Sequence, residues 1–97
     1  KAIVGANEWA KYQPDFNWVK FNAPENALVG YRGQCLSYNI HHPSNFDLAK
    51  ADYVWVNQNF RLEPVSVVEP EVLQQIQENF TAVYQNPATS TVIYGRK

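Results

Sequence analysis

Lys50-Ala51-Asp52-Tyr53-Val54-Trp55-Val56-Asn57 is the stretch whose reading decides the fold. Tyr53 to Val56 is the longest dense run of β-branched and aromatic residues in the chain, and polar residues bound it on both sides. A short apolar run without in-out alternation describes a strand covered on both faces, as in the middle of a parallel or mixed sheet. A buried helical turn is the competing reading, but two valines and two aromatics in so short a run favour the strand.

Working outward, the segment before this strand reads as follows. Ala2, Ile3, Ala6, Trp9 and Ala10 are spaced as one face of a helix, which Gly5 weakens. Pro14 interrupts that helix and suits the first position of a new one, with Asp15 complementing the dipole in its first turn. Trp18, Val19 and Phe21 supply an apolar side, and Pro24 forces an end near Asn22, so a helix is expected from Pro14 to Asn22. Pro24-Glu25-Asn26 is a turn. Ala27 to Tyr31 reads as a second short buried strand, in which Gly30 marks a close backbone approach. From Gln34 to Ile40 the pattern fits a short helix or an irregular turn. His41 to Asn45 is a loop, and Phe46 to Ala51 a single helical turn.

On the far side, Gln58 to Val68 has no clear period and reads as a long, partly packed loop. Glu69-Pro70-Glu71 opens a helix, with proline at its first position and acids in the first turn. Val72, Leu73, Ile76 and Phe80 form its buried stripe. Thr81 to Tyr84 and Thr91 to Tyr94 are β-rich runs, and Asn86-Pro87 between them signals an antiparallel hairpin. The sum is a small α/β sandwich whose mixed sheet has about four strands. The first two are parallel, joined by a right-handed crossover, and the hairpin completes the sheet.

Ninety-seven residues make one domain. The net charge of −1 offers no basic face, which disfavours nucleic acid and anionic membrane surfaces as partners. A single cysteine, Cys35, excludes an internal disulfide and leaves the redox compartment open. No window approaches the roughly 18 apolar residues of a membrane span. The absence of methionine and the start at Lys1 lead us to expect a processed chain or an excised piece of a longer protein.

Three groups of residues invite a chemical reading. His41-His42 are metal-ligating and acid-base side chains, but adjacent residues of an extended segment point to different sides, and no cysteine or carboxylate pair stands at ligand spacing. A solvated loop explains them without a metal. Cys35 as a nucleophile needs a base beside it; a packed thiol is the plainer reading. The third group is Arg32 and Gln34 after the second strand and Asn57 and Asn59 after the central one. In an open α/β sheet, ligands bind at the carboxyl ends of parallel strands. Arg32, Gln34, Asn57, Asn59, His41 and His42 are therefore the candidate ligand-binding set, suited to a sugar or a phosphate, although strand ends are also commonly just polar. No glycine-rich phosphate loop is present and no cofactor is implied. Trp55 belongs in the core, whereas Trp9 is the ring best placed for an exposed contact. Asn79-Phe80-Thr81 fits the N-glycosylation pattern, a motif with many chance matches.

Three segments, in order and spacing, resemble one family. Asn17-Trp18-Val19-Lys20-Phe21-Asn22-Ala23-Pro24-Glu25-Asn26-Ala27-Leu28-Val29-Gly30 is similar to a Trp-Ile-x-x-Asn-Thr-Pro-x-x-Ala-Val-Val opening segment. Ala51-Asp52-Tyr53-Val54-Trp55-Val56 is similar to an Ala-Asp-Tyr-Val-Val-Val strand. Phe80-Thr81-Ala82-Val83-Tyr84-Gln85-Asn86 with Val92-Ile93-Tyr94 resembles a closing Phe-x-x-Val-Tyr-x-Asn … Val-x-Val-Tyr hairpin. These belong to the C-terminal domain of integral-membrane glycosyltransferases of the GT-C class, the dolichyl-phosphate-mannose protein mannosyltransferases and aminoarabinose transferases, which use polyprenyl-phosphate sugars. The resemblance implies a non-catalytic extracytoplasmic domain, attached through an upstream transmembrane region and serving acceptor recognition or support of the external loops. Its partners would be the membrane portion of the parent and a sugar or glycan acceptor. The catalytic groups of that class lie in the membrane portion, so no catalytic residue carries over. The alternative is an independent small α/β ligand-binding or regulatory module of a soluble protein.

Overall fold

The computed structural model of the protein describes residues 9–32, 36, 40, 46–60 and 67–97. Helix α1 runs Gln13–Asn22, strand β1 Val29–Gly30, strand β2 Tyr53–Asn57, helix α2 Pro70–Asn79, strand β3 Phe80–Asn86 and strand β4 Thr91–Arg96. One four-stranded sheet has the order β1-β2-β4-β3. The first two strands are parallel, with Val29 opposite Tyr53. Strand β4 returns antiparallel between β2 and β3, setting Trp55 against Ile93 and Asn57 against Thr91. The expected mixed α/β sheet is therefore present, with Tyr53-Val54-Trp55-Val56 at its centre.

Period-two alternation divides the sheet into two faces. Trp55 and Ile93 point to one face, where Phe16 and Val19 of α1 close a buried cluster with Val29, Tyr12 and Phe60. Val54, Val56 and Tyr94 point to the other, where Ile76 of α2 packs with Phe80 and Val68. Both faces of β2 are covered, which is why its sequence shows no alternation of polar and apolar residues.

Helix α1 starts one residue earlier than expected and places Pro14 in its first turn. It stops where Ala23 becomes extended (φ −84°, ψ 135°), the conformation imposed on a residue before proline. Trp9 and Ala10 are helical, and the turn at Lys11–Tyr12 separates them from α1. Contrary to expectation, Trp9 is half-buried, packed against Phe16 and Phe60 with ring centroids 6.2 and 5.7 Å apart.

The second strand is shorter than the expected Ala27–Tyr31, for a local reason. The Asp52 carboxylate accepts the Leu28 N–H at 2.9 Å, and the Leu28 carbonyl accepts the N–H groups of Asp52 and Tyr53. Those bonds occupy the backbone just before Val29, so regular pairing begins only there. Leu36 and Ile40 are each helical and buried; the rest of the Gln34–Ile40 segment, expected as a short helix or an irregular turn, lies outside the described residues. Lys50 and Ala51 N–H groups close a turn on the Asp47 carbonyl, as expected for the stretch leading into β2.

Helix α2 passes into β3 without a loop, since Phe80 is already extended (φ −130°, ψ 163°). Within β3, Ala82 faces Tyr94 and Tyr84 faces Ile93, so Val83 is an extra residue and the strand carries a β-bulge.

Candidate functional site

Two constructions on the α1 face of the sheet could carry chemistry. The first is a buried polar knot. Asp15, three residues into α1, has no solvent exposure. Its Oδ1 accepts the Tyr84 hydroxyl at 2.6 Å and the Asn86 carboxamide at 2.9 Å. Its Oδ2 accepts Thr91 Oγ1 at 2.6 Å and Thr89 Oγ1 at 2.8 Å. Asn57 completes the cluster, with its Nδ2 donating to Thr91 Oγ1 and the Thr89 carbonyl and its Oδ1 accepting the Asn59 N–H. Four donors disperse one carboxylate charge where water is excluded, the condition on which such a group is tolerated. Burial and the adjacent Asp15 carboxylate push the Tyr84 hydroxyl up to about 12.

Local sequence builds the donor side of the knot. Tyr84, Asn86 and Thr91 occupy inward positions of the hairpin, level with Ile93 and Trp55. In the connecting loop, Asn86 Oδ1 accepts the Ala88 N–H and the Asn86 carbonyl accepts Ser90 N–H. Ser90 has the left-handed backbone (φ 70°) that turns the chain back and delivers Thr89 and Thr91 to Asp15. With every lone pair directed at an internal donor and no route to water, Asp15 joins helix to hairpin rather than meeting a substrate.

The second construction is an open cleft of about 510 Å³ beyond the C-terminal end of α1. Tyr53, Thr81, Val83 and Gly95 form its floor, the turn Pro24, Asn26 and Ala27 one wall, and Asp52 and Arg96 its edge. Gly95 keeps the floor low, because a Cβ there would come within 3.2 Å of Val83 Cγ1 and 3.5 Å of the Tyr53 ring. Tyr53 packs edge-on against Trp18, and Trp18 also packs on Tyr84, so rings link the cleft to the knot. Arg96 is committed: its Nε donates to the Ala51 carbonyl at 2.9 Å, its Nη2 bonds the carbonyls of Leu48 and Ala51, and its guanidinium lies 4.7 Å from the Phe80 ring centroid. Among the lining residues, this leaves a carboxylate, a carboxamide, a hydroxyl and an aromatic ring facing the space. Such a surface fits hydroxyl-rich or weakly cationic groups and offers an anion little.

The residues expected to bind ligand are distributed otherwise. Gln34, His41 and His42, like Cys35, lie outside the described residues. Arg32 Nη1 pairs with Glu69 Oε1 at 2.9 Å and its guanidinium lies over the Phe46 ring. A backbone hydrogen bond within Glu69 and then Arg32 hold the Glu69 carboxyl below its ordinary value. Asn57 is buried in the knot, and Asn59 Nδ2 donates to Ser90 Oγ at 3.0 Å. Asn57 and Asn59 are thus brought together, at the hairpin loop, while Arg32 is bound to the segment before α2. The sequence reading missed Asp15 as the centre of a cluster. Its partners lie 69 to 76 residues away, and the one available signal was Thr91, polar at an inward position two residues from Ile93.

Comparison of the chain with known protein families, with curated proteins and with solved structures finds no match. Among the described residues, no helix is long and apolar enough to cross a membrane, and no three metal-ligating side chains are grouped.

Proposed function

We propose that the chain is a non-catalytic extracytoplasmic domain of a membrane glycosyltransferase using a polyprenyl-phosphate sugar, and that its cleft helps to hold the acceptor. The observation that carries the reading is where the family-like segments fall. The Asn17–Gly30 segment spans α1 to β1, Ala51–Val56 leads into and forms most of β2, and the closing segment forms β3 and β4. These segments also supply every residue lining the cleft except Gly95 and Arg96, which directly follow the last of them. The cleft chemistry supports the acceptor rather than the donor: carboxylate, carboxamide, hydroxyl and ring suit a neutral hydroxylated group, and its single guanidinium is occupied by backbone carbonyls. Asp15, the best-connected carboxylate, is sealed from substrate.

The gene upstream of Lys1 tests this directly. Several windows of about 20 apolar residues, the last ending shortly before Lys1, are expected; a hydrophilic upstream sequence would sink the reading. The open cleft favours one second reading, an independent small α/β ligand-binding or regulatory module, because Asn26, Asp52 and Thr81 bring polar groups to one recess of about 510 Å³. In that case a soluble parent accompanies saturable NMR shifts at Asn26, Thr81 and Gly95 on titration with a neutral oligosaccharide. Shifts with inorganic phosphate instead would overturn the cleft chemistry shared by both readings.

A further inference from the structure

Among the described residues, strand β3 is an edge strand, since the sheet order places β4 on one side of it and no strand on the other. It is seven residues long, about 23 Å at the usual rise. Thr81, Ala82, Val83 and Gln85 are exposed. Among the described residues, no hydrogen bond joins the backbone of Thr81–Gln85 to anything beyond the sheet. Exposed edges are ordinarily protected by lysine, proline or inward-pointing charges, because unpaired N–H and C=O groups recruit another strand. Phe80-Thr81-Ala82-Val83-Tyr84-Gln85-Asn86 contains neither proline nor any charge. Among the described residues the bulge is the one protective device, and it leaves Val83 leaning over Gly95 yet 45 % exposed.

We infer that β3 is an interface on which a second copy of this chain adds its own β3 antiparallel, making one continuous eight-stranded sheet across a twofold axis. Charge selects this occupant and this direction. An uncharged strand meets no like charge when it faces itself, whereas like charges directly opposite destabilise a pair. In the antiparallel arrangement the start of one β3, next to Glu78, lies beside the neutral Asn86-Pro87 end of the other. A parallel arrangement would set Glu78 beside its own copy. The overall charge of −1 leaves little repulsion between copies. Symmetry about Val83 then brings the two exposed valines together and covers them, the isologous contact a twofold requires.

Sedimentation equilibrium of the chain tests the proposal, with twice 11.1 kDa expected at raised concentration. Amide exchange of β3 should slow with concentration while β1 is unaffected. Val83→Lys, which sets a charge opposite its own copy, should return the monomer with unchanged circular dichroism. Phe21→Ser removes the most exposed large apolar side chain among the described residues, 74 % exposed on α1, and should leave the dimer intact. A chain monomeric up to about 1 mM would overturn the proposal. So would a dimer that survives Val83→Lys, one abolished by Phe21→Ser, or one whose β3 amides exchange as in the monomer.

Discussion

The two faces of the sheet are held by different physics. Under α2 the contact is aliphatic and aromatic: Ile76 fits against Val54, Val56, Phe80 and Tyr94, and the buried Asp, Asn and Thr side chains of the described residues all lie on the other face. Under α1 an aromatic stack of Phe16 on Trp55, with Phe60 edge-on, ends in the Asp15 knot. Apolar contacts tolerate any arrangement that fills the volume. Four hydrogen bonds on one carboxylate tolerate only one position of helix relative to hairpin. The α1 face is also the one that carries the cleft, so the wall at Pro24–Ala27 is set against its floor by a directional joint.

The largest effect should come from breaking that joint without changing its volume. Asp15→Asn turns an N–H₂ toward the Asn86 carboxamide and removes the charge the hydroxyls serve. It should cost about 3 kcal/mol of unfolding free energy in urea, the range for leaving buried donors unsatisfied. A cost below about 1 kcal/mol would show that the knot is dispensable and the two faces equivalent.

Tyr84 sharpens the comparison through pH. Its hydroxyl titrates near 12 when folded against an ordinary value of 10. Below pH 10 it is neutral in both states, and its contribution to stability is complete. Between pH 10 and about 12 the unfolded chain ionises first, so stability falls as pH rises through that window. Tyr84→Phe should cost about 1.5 kcal/mol at neutral pH, as for a hydrogen bond to a charged group, and the difference between the two proteins should shrink on the alkaline side. A difference independent of pH would separate Tyr84 from Asp15.

The same comparison explains what was legible in sequence. The central strand, α2 and the hairpin were readable because their burial is written locally: Tyr53–Val56 as an unbroken apolar run, and Val72, Leu73 and Ile76 as a helical stripe, whose expected fourth member, Phe80, instead opens β3. Asp15 was readable only as a helix-dipole partner, since all four of its donors come from the other end of the chain. Asn57 was placed at a ligand crevice by the strand-end rule, which is blind to β4 pairing antiparallel beside it and turning Thr91 onto its carboxamide. The existence of β1 was readable within Ala27–Tyr31, but its late start at Val29 was not, because the Asp52 side chain captures the Leu28 N–H. Apolar cores announce themselves by local runs and periods; polar joints depend on tertiary partners.

On the α2 face, by contrast, Ile76→Val should cost only about 1 kcal/mol, the usual value for one buried methyl group. Thermal or urea unfolding of Ile76→Val and Asp15→Asn side by side measures the asymmetry between the faces. Equal losses would mean that the packing under α2 is as exacting as the knot.

The smallest effect is the most diagnostic of how the hairpin loop serves the knot. Ser90 holds a left-handed backbone (φ 70°) between Thr89 and Thr91, and its hydroxyl accepts a bond from Asn59. Ser90→Ala removes that bond and keeps the strain. Ser90→Gly removes the bond and relieves the strain, at the cost of a freer unfolded chain. Glycine should therefore be more stable than alanine at position 90, by about 0.5–1 kcal/mol after these opposing terms. At exposed Gln85, on the extended part of β3, the order should reverse, because glycine in a strand gives up entropy and gains no relief. The reversal is the test: if alanine is preferred at both positions, the left-handed turn at Ser90 is not what delivers Thr89 and Thr91 to Asp15.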